Sequence, residues 1–269
     1  MRLPGSGSEA ISPTAHYTGY VWARNGLSHP ELASWQGRVL FESVRPSMLV
    51  LGTLGGPSLE PYLLARHRAI DELLEREIEE HGRVQAIEVA CGLSPRGWRF
   101  TQRYGDSITY VEADLPDMAK RKREALARMS SLSEHHRVEE VDALREGGPG
   151  SLAAIAEGLD VNVPLVILTE GLLSYLDRDD VLAIWRRFAD ALMGFPSGRY
   201  LSDLHVSEDA SGPHVEAFRA ILSLFVRGPV RMHFEDAAEA EDELRKAGFA
   251  EAAVRRVESP YVRIVDAAV

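Results

Sequence analysis

The chain has 269 residues, one cysteine, 45% hydrophobic and 26% charged residues, and a formal net charge of −11. A single cysteine excludes an internal disulfide and cysteine-based metal clusters, and it makes a reduced cytoplasm the expected compartment. The acidic balance argues against nucleic-acid binding, and no apolar run approaches the roughly 20 residues that a membrane span needs.

The first predicted element lies in an aromatic and polar segment, residues 13–26. In an amphipathic helix, His16 and Tyr20 would share one face, and Tyr17 and Arg24 another. Two interpretations remain open and are compatible: the aromatic side chains fix an N-terminal arm onto the domain, or the arm forms a lid over a substrate pocket.

A loop at residues 52–57 precedes a long helix, 59–81, for which Ser58 is the expected cap. The apolar residues of this segment follow helical spacing. Arg66, His67 and Arg68 interrupt that pattern, and such a run is typical of a solvated helix face.

From residue 84 onwards, strands and helices alternate regularly. The predicted strands are 84–89, 107–113, 135–141, 163–169, 200–206, 252–257 and 261–265; the predicted helices are 95–104, 116–129, 151–158, 178–193, 213–226 and 236–247. This pattern predicts a doubly wound, mostly parallel α/β sheet of seven strands, with a C-terminal antiparallel hairpin around Ser259 and Pro260. We expect an N-terminal helical arm and lid, residues 1–82, and an α/β core, residues 83–269.

The loop after the first strand has the form Glu88-x-Ala90-x-Gly92, and Ser94-Pro95 then predicts a helix start. Ligands of open α/β sheets bind outside the carboxyl ends of the strands, beside a helix N-terminus. The loop lacks the G-x-G-x-x-G pattern that suits a pyrophosphate, so a cofactor without phosphates, such as S-adenosylmethionine (SAM), fits better. A connection that binds no ligand is the alternative.

Three acids stand where strands end, namely Asp114, Asp142 and Glu170. Asp114 lies about 20 residues beyond the first loop, where an acid that binds ribose hydroxyls is expected. Asp142 would then accept from an adenine amino group, and Glu170 would meet a cationic or amino group. The alternative for each acid is a cap of the next helix.

Four segments together resemble a known family. They are Pro-Thr-Ala-His-Tyr-Thr-Gly-Tyr-Val-Trp (13–22), Ala-Arg-His-Arg-Ala-Ile-Asp (65–71), the stretch 88–100, and Glu-Gly-Leu-Leu-Ser-Tyr-Leu (170–176). The chain resembles class I SAM-dependent methyltransferases of the leucine carboxyl methyltransferase type, in particular the polyketide O-methyltransferase (tetracenomycin-type) branch. Ala90, where many methyltransferases have glycine, and Ser174, where the family often has a larger residue, are departures.

The resemblance implies a Rossmann-like fold, SAM as methyl donor with S-adenosylhomocysteine as product, and a small-molecule acceptor such as a polyketide-like secondary metabolite. It places Glu88 and Gly92 at the methionine end of SAM, and Arg66 on a carboxylate of cofactor or acceptor. The cofactor-binding residues expected on this basis are Arg66, Glu88, Ala90, Gly92, Asp114, Leu115, Asp142, Ala143, Glu170 and Tyr175.

Methyl transfer from a sulfonium is an in-line displacement, and the protein mainly positions the acceptor and excludes water. A carboxylate acceptor is already ionised at neutral pH, whereas a phenol, with a pKa of about 10, benefits from a base or a nearby cation. His16 and His205 are candidate bases, with structural hydrogen bonding as the alternative. The expected catalytic residues are Arg66, Tyr20 and His205.

Two other functions remain open at this stage: a SAM-binding regulator without catalysis, and a nucleotide-dependent reductase on a similar sheet. The low glycine count of the first loop argues against the reductase. No metal site is expected, because the nine histidines lack ligand spacing.

Overall fold

The computed structural model describes residues 13–53, 58–210, 231–259 and 262–269. Its helices are α1 (Pro13–Arg24), α2 (Trp35–Thr53), α3 (Leu59–His81), α4 (Arg96–Tyr104), α5 (Pro116–Arg128), α6 (Leu152–Ala156), α7 (Arg178–Leu192) and α8 (Ala237–Ala247). Its strands are β1 (Val84–Val89), β2 (Ile108–Asp114), β3 (His136–Glu140), β4 (Leu165–Thr169), β5 (Gly198–Leu204), β6 (Glu251–Arg256) and β7 (Arg263–Ala268). The predicted helix 213–226 and the hairpin turn at 260–261 lie outside the described residues.

The seven strands form one sheet in the order β3-β2-β1-β4-β5-β7-β6. The first five are parallel, whereas β7 pairs antiparallel with both β5 and β6. The predicted doubly wound, mostly parallel sheet with a C-terminal antiparallel pair is therefore confirmed. The carboxyl ends of β1, β2, β4 and β5 meet at one edge.

Helices cover both faces of the sheet, which explains why the central strands β1 and β4 are buried along their whole length. On one face, Ile87 and Ile167 pack with Trp185 and Phe188 of α7. On the other, Ala86 packs in a cluster with side chains of α3 and α4. The alternation of side chains along β1 therefore supplies both cores.

Helix α3 has the limits that its periodicity predicts, but two details differ. Ser58 occupies the N-cap position without a side-chain hydrogen bond to the helix. Arg66 and His67 are buried, so the expectation of a solvated face is wrong for both, although Arg68 is exposed. The reason is that this stretch of α3 faces carboxylates at the end of the sheet rather than water.

The N-terminal arm comprises α1 and α2, and α2 was not predicted. This helix continues through Thr53, so the predicted loop at 52–57 begins too early; residues 54–57 lie outside the described part. Tyr17, Val21 and Trp22 of α1 are buried in a cluster that includes side chains of α2 and α3. The aromatic residues thus fix the arm onto the domain, and the boundary at residue 82 stays a prediction.

The predicted cap residues of two helices can be compared with the structure. Helix α4 begins at Arg96 with Pro95 at the N-cap, so Ser94 is not the cap, although its hydroxyl accepts the Arg96 N–H at 3.3 Å. Helix α8 ends at Gly248 in the left-handed region, as predicted. No helix within the described ranges has the length and apolar character to cross a membrane.

Candidate functional site

The loop between β1 and α4 is tied to the end of β2 through one carboxylate. The N–H of Gly92 donates to Asp114 Oδ2 at 2.7 Å, and the N–H of Leu115 donates to Oδ1 at 2.7 Å. Gly92 has a φ of +52°, a conformation that glycine adopts without strain, and it directs its amide toward the acid. Asp114 therefore sets the spacing between two adjacent strand ends.

Asp114 still has capacity to bind a ligand. A carboxylate has about four lone-pair sites, and the two backbone donors use two of them. Burial raises the pKa of Asp114 to about 6, while the hydrogen bonds from Gly92 and Leu115 oppose that rise. Two adjacent hydroxyl donors would complete its shell, so the residue fits a ribose.

Arg96 is the centre of a buried charge network beside this loop. Its fully buried guanidinium donates to Asp71 at 2.6 Å, to Glu88 at 2.5 Å and to Glu170 at 2.7 Å. Burial lowers the pKa of Arg96, but Glu88 and Asp71 more than compensate and hold it above its ordinary value. One side chain thus connects α3, β1 and the segment after β4.

Glu170 is held by three donors. Arg66 Nε lies 3.0 Å from Oε1, while His67 Nδ1 and Arg96 Nη2 lie 2.8 and 2.7 Å from Oε2. Burial alone raises the pKa of Glu170, but His67, Arg66 and Arg96 reverse the shift and hold it far below its ordinary value. Glu170 is therefore an ionised carboxylate in a protected position.

Arg66 already has two carboxylate partners within the chain. Besides Glu170, its Nη1 donates to Asp203 Oδ2 at 3.0 Å, and the guanidinium lies 5.5 Å from the ring centre of Tyr62. Asp203 Oδ1 in turn accepts the N–H of Gly171 at 2.7 Å. We refer to the following residues as the charge network: Arg66, His67, Asp71, Glu88, Arg96, Arg99, Glu170 and Asp203.

His205 lies just beyond the charge network, between two hydroxyl groups. Its Nε2 is 2.7 Å from the Tyr62 hydroxyl, and its Nδ1 is 3.2 Å from Ser174 Oγ. Burial lowers the pKa of His205, with Asp203 acting against that shift. The imidazole is therefore held neutral at pH 7 with a defined partner on each nitrogen.

A second buried ion pair, formed by Lys122 and Glu112, supports the β1–α4 loop. Lys122 pairs with Glu112 and also donates to the carbonyl of Ser94 in the loop. His136 Nε2 lies 2.7 Å from the other oxygen of Glu112. A Cβ at Gly97 would lie 2.3 Å from Glu112, so the start of α4 needs glycine to reach this pair.

The structure brings together two groups of the predicted site residues. Arg66, Glu88 and Glu170 belong to the charge network, and Ala90 lies in the β1–α4 loop with a φ of +58°. Gly92, Asp114 and Leu115 form the second group through the hydrogen bonds described above.

The other predicted residues lie outside these contacts. Asp142 is exposed and accepts the N–H of Leu144 at 3.0 Å, which is a local turn interaction. Ala143 and Tyr175 are partly buried near the ends of β3 and β4. The ring of Tyr20 lies against Phe41 of α2, with centroids 5.4 Å apart.

The prediction omitted several residues of the site, including Arg96, Asp71, Asp203 and Tyr62. One signal was available: His67 and Asp71 follow Leu63 at intervals of four residues, so both lie on the same face of α3 as that apolar residue. Among the described residues, no group of three or more His, Cys, Asp or Glu side chains has an arrangement suited to a metal.

Residues 41–189, which are more than half of the chain, match the family model described as Leucine carboxyl methyltransferase. The chain is also 36% identical over 95 residues to a protein of Mycolicibacterium gilvum named as a candidate S-adenosyl-L-methionine-dependent methyltransferase. That match covers 35% of this chain and 30% of the relative. The chain spans half or less of the length of the curated relatives that it matches.

Solved structures share the fold. A DUF574 family protein from Streptomyces avermitilis superposes with a TM-score of 0.63 at 16% identity, over 94% of this chain and 96% of that one. The structure of PigF with SAH gives a TM-score of 0.50 at 22% identity, over 69% of this chain and 50% of that one. At these identities the likeness concerns the fold alone, and it agrees with the seven-stranded sheet described above.

Proposed function

The chain belongs to the leucine carboxyl methyltransferase family, and from that premise we propose that it is a SAM-dependent O-methyltransferase. The acceptor is the carboxylate or phenolic hydroxyl of a small molecule, and a polyketide-like secondary metabolite is the proposed type. When bound, SAM supplies a methyl group on a sulfonium that also serves as the leaving group.

The observation that carries this proposal is the position of Asp114 beside the carboxylates of the charge network. Asp114 would hold the two ribose hydroxyls, because two of its lone-pair sites are unused by the backbone donors. Glu88 and Glu170 lie at the adjoining strand ends, where the ionised Glu170 favours the cationic methionine part of SAM over a pyrophosphate. The relative from Mycolicibacterium gilvum, named as a SAM-dependent methyltransferase, supports the same cofactor.

We assign the other predicted cofactor-binding residues to parts of SAM by the strand that each residue follows. Asp142 and Ala143 follow β3, next to β2, where we place the adenine. Tyr175 follows Glu170 and would contact the methionine part. Arg66 holds Glu170 and Asp203 in place, so we assign it to fixing the carboxylates that face the ligand rather than to binding the ligand's own carboxylate.

The arm is proposed to exclude water from the reaction. A Cβ at Gly92 would lie 3.5 Å from Ala15, and a Cβ at Gly19 would lie 3.1 Å from Leu93, so α1 lies directly on the β1–α4 loop. Tyr20 lies on the same helix. Holding the acceptor near the methyl group in a closed site can supply up to about 7–11 kcal/mol of the barrier reduction.

Calorimetry with SAM, S-adenosylhomocysteine and NAD tests the cofactor. We expect both SAM and S-adenosylhomocysteine to bind and NAD not to bind. Asp114→Ala should weaken SAM binding by about 1.5–3 kcal/mol, the scale of hydrogen bonds to a charged group. Asp106→Ala changes an exposed acid in the turn before β2; it is the matched control and should bind SAM normally.

Transfer of labelled methyl groups distinguishes the enzyme from the two other classes. NAD binding without SAM binding would support the reductase and contradict the proposal. SAM binding without transfer to any acceptor would support a regulator. An unchanged affinity in Asp114→Ala would show that Asp114 only fixes the loop.

A further inference from the structure

We propose that the methyl acceptor is a neutral hydroxyl of the phenol class, and that its proton leaves through Ser174 to His205. This inference rests on the proposed methyl transfer and narrows its acceptor. It assigns His205 as the base and Tyr62 as the residue that positions it.

The three residues lie on the acceptor side of the predicted cofactor. Ser174 is in a single 3-10 turn after Glu170, and His205 directly follows β5. The strand order β2-β1-β4-β5 puts both at the same sheet edge as Asp114, but further along it. Ser174 is only partly buried, whereas Tyr62 is buried, so Ser174 forms the open end of the relay.

Of these three side chains, only His205 can accept a proton at neutral pH. Serine has no accessible acid–base equilibrium, and burial raises the pKa of Tyr62 further above its ordinary value. Burial lowers the pKa of His205, so it is present as the free base. Nε2 and Nδ1 of His205 lie at hydrogen-bond distance from the hydroxyls of Tyr62 and Ser174, and these distances fit either tautomer. The relay requires the tautomer in which Nε2–H donates to the Tyr62 hydroxyl, because Nδ1 then offers its lone pair to the hydroxyl of Ser174.

Proton transfer to His205 accompanies the methyl transfer. The acceptor O–H gives its proton to Ser174 Oγ while Ser174 passes its own proton to His205 Nδ1, which forms an imidazolium. The acceptor oxygen forms a bond to the methyl carbon as the sulfur–methyl bond breaks, and that electron pair returns to sulfur as a thioether. Water removes the proton from His205 after product release.

Charged groups from several elements set the proton affinity of His205. Besides burial, Arg66 on α3 and His233 disfavour the imidazolium. Asp203 on β5 and Asp209 in the following turn favour it. The histidine is thus neutral at rest, and two carboxylates stabilise the charge that it gains during the reaction.

The charge network favours a neutral acceptor over a carboxylate. It has four carboxylates, Asp71, Glu88, Glu170 and Asp203, which are paired with three guanidiniums, Arg66, Arg96 and Arg99, and with His67. Each guanidinium is already engaged by these acids, so an acceptor carboxylate would lose its hydration without gaining a free guanidinium. A hydroxyl carries no charge and avoids this cost, but it requires the base that His205 provides.

The first test is the tautomer of His205, which requires no acceptor. Nitrogen-15 NMR of the histidine rings at pH 7.5, assigned with His205→Asn, should show Nε2 protonated and Nδ1 unprotonated. Tyr62→Phe should lose this preference for one tautomer. A protonated Nδ1 in the wild type overturns the relay, because Ser174 would then be unable to pass its proton to the ring.

The second test compares 1-naphthol with 1-naphthoic acid as matched probes, each with methyl-labelled SAM. Treatment with alkali separates the products, since a methyl ester releases labelled methanol and an aryl methyl ether does not. We expect an ether from 1-naphthol. His205→Asn and Ser174→Ala should lower its kcat by about 10²–10⁴-fold with unchanged SAM affinity. His135→Asn changes a partly exposed histidine directly before β3; it is the control and should leave the rate unchanged.

The pH dependence of kcat distinguishes a base from a residue with a purely structural role. The wild-type kcat should fall as the pH drops through the lowered pKa of His205, and that limb should disappear in His205→Asn. A labelled ester in place of an ether overturns the inference, as does SAM binding with transfer to neither probe. Failure to bind SAM at all refutes the proposed function itself, so the two failures are distinguishable.

Discussion

Ala90 occupies a backbone position that normally favours glycine, with a φ of +58°. An L-residue in this region loses about 1–2 kcal/mol, whereas glycine in an ordered segment costs about 0.5–1 kcal/mol in chain entropy. We therefore predict that Ala90→Gly raises the free energy of unfolding by about 0.5–1 kcal/mol, measured by urea denaturation.

The matched control is Ala127→Gly on the exposed side of α5, which should lower stability by about 0.8–1 kcal/mol. If Ala90→Gly destabilises as much as the control, the positive φ carries no strain. The positive φ also explains why many methyltransferases have glycine at the position where this chain has Ala90.

Asp114 predicts how SAM binding depends on pH. The free carboxylate has a pKa of about 6, and ribose hydroxyls bind its ionised form. Affinity should therefore be greatest above pH 6 and fall below it, to about one tenth at pH 5 of its value at pH 7.5. Calorimetry at the two pH values measures this, and Asp114→Asn should remove the dependence. Equal affinities at pH 5 and 7.5 in the wild type would contradict it.

For single residues of the site, the sequence predicts the acids better than the residues that bind them. Asp114 and Glu170 were predicted because the end of a strand is a local feature of the sequence. Arg96 and Asp203 were not assigned roles, because most of their partners lie far away in the chain: Arg96 meets Asp71 and Glu170, and Asp203 meets Arg66. Arg66 was predicted to bind a carboxylate, and the structure supplies two from the chain itself.

Helix α5 is joined to β2 by a pair of opposite charges, Lys122 and Glu112, with no exposure to water. Lys122→Met keeps the volume of the side chain but leaves Glu112 buried without its cation. Removing one partner of a buried pair costs about 3–5 kcal/mol, and we expect that loss in urea denaturation. Lys120→Met, exposed on the same helix, should stay within about ±0.5 kcal/mol.

The double variant Lys122→Met with Glu112→Gln distinguishes charge from packing. It should regain part of the stability that Lys122→Met loses, because no unpaired charge then remains. A double variant less stable than the single one would show that the contact acts through shape alone.

Elements with a strong local pattern were predicted well. Helix α3 and strand β1 have the predicted limits, since the first is long and periodic and the second is a short apolar run next to small residues. Helix α2 was missed because Gly37 and Pro46 weaken its pattern. Its helical form depends on packing against α1, which a local pattern does not contain.

For the whole molecule, the charge network connects α3 with the ends of β1, β4 and β5. Because the pKa of Glu170 is lowered by folding, its contribution to stability is fully present above the ordinary value of 4.5. That contribution is lost as the pH falls below 4.5. Glu170→Gln should therefore cost about 3–5 kcal/mol at pH 7, and about 2 kcal/mol less at pH 3, because one group contributes about 1.4 kcal/mol for each pH unit below 4.5.

Urea denaturation of the wild type and Glu170→Gln at both pH values measures this difference. Glu157→Gln, an exposed glutamate after α6, is the control and should track the wild type throughout. A stability difference between Glu170→Gln and the wild type that is equal at pH 3 and pH 7 would contradict the assignment of Glu170 as an ionised group.

The position of β7 between β5 and β6 has a consequence for folding during synthesis on the ribosome. Synthesis proceeds from the N-terminus, so β5 and β6 emerge before the strand that will separate them. Until β7 appears, the apolar strand β5 presents an unpaired edge, which is a template for association with other chains. Nascent chains stalled after residue 256 should therefore engage chaperones and aggregate, whereas those that also expose residues 263–268 should close the sheet.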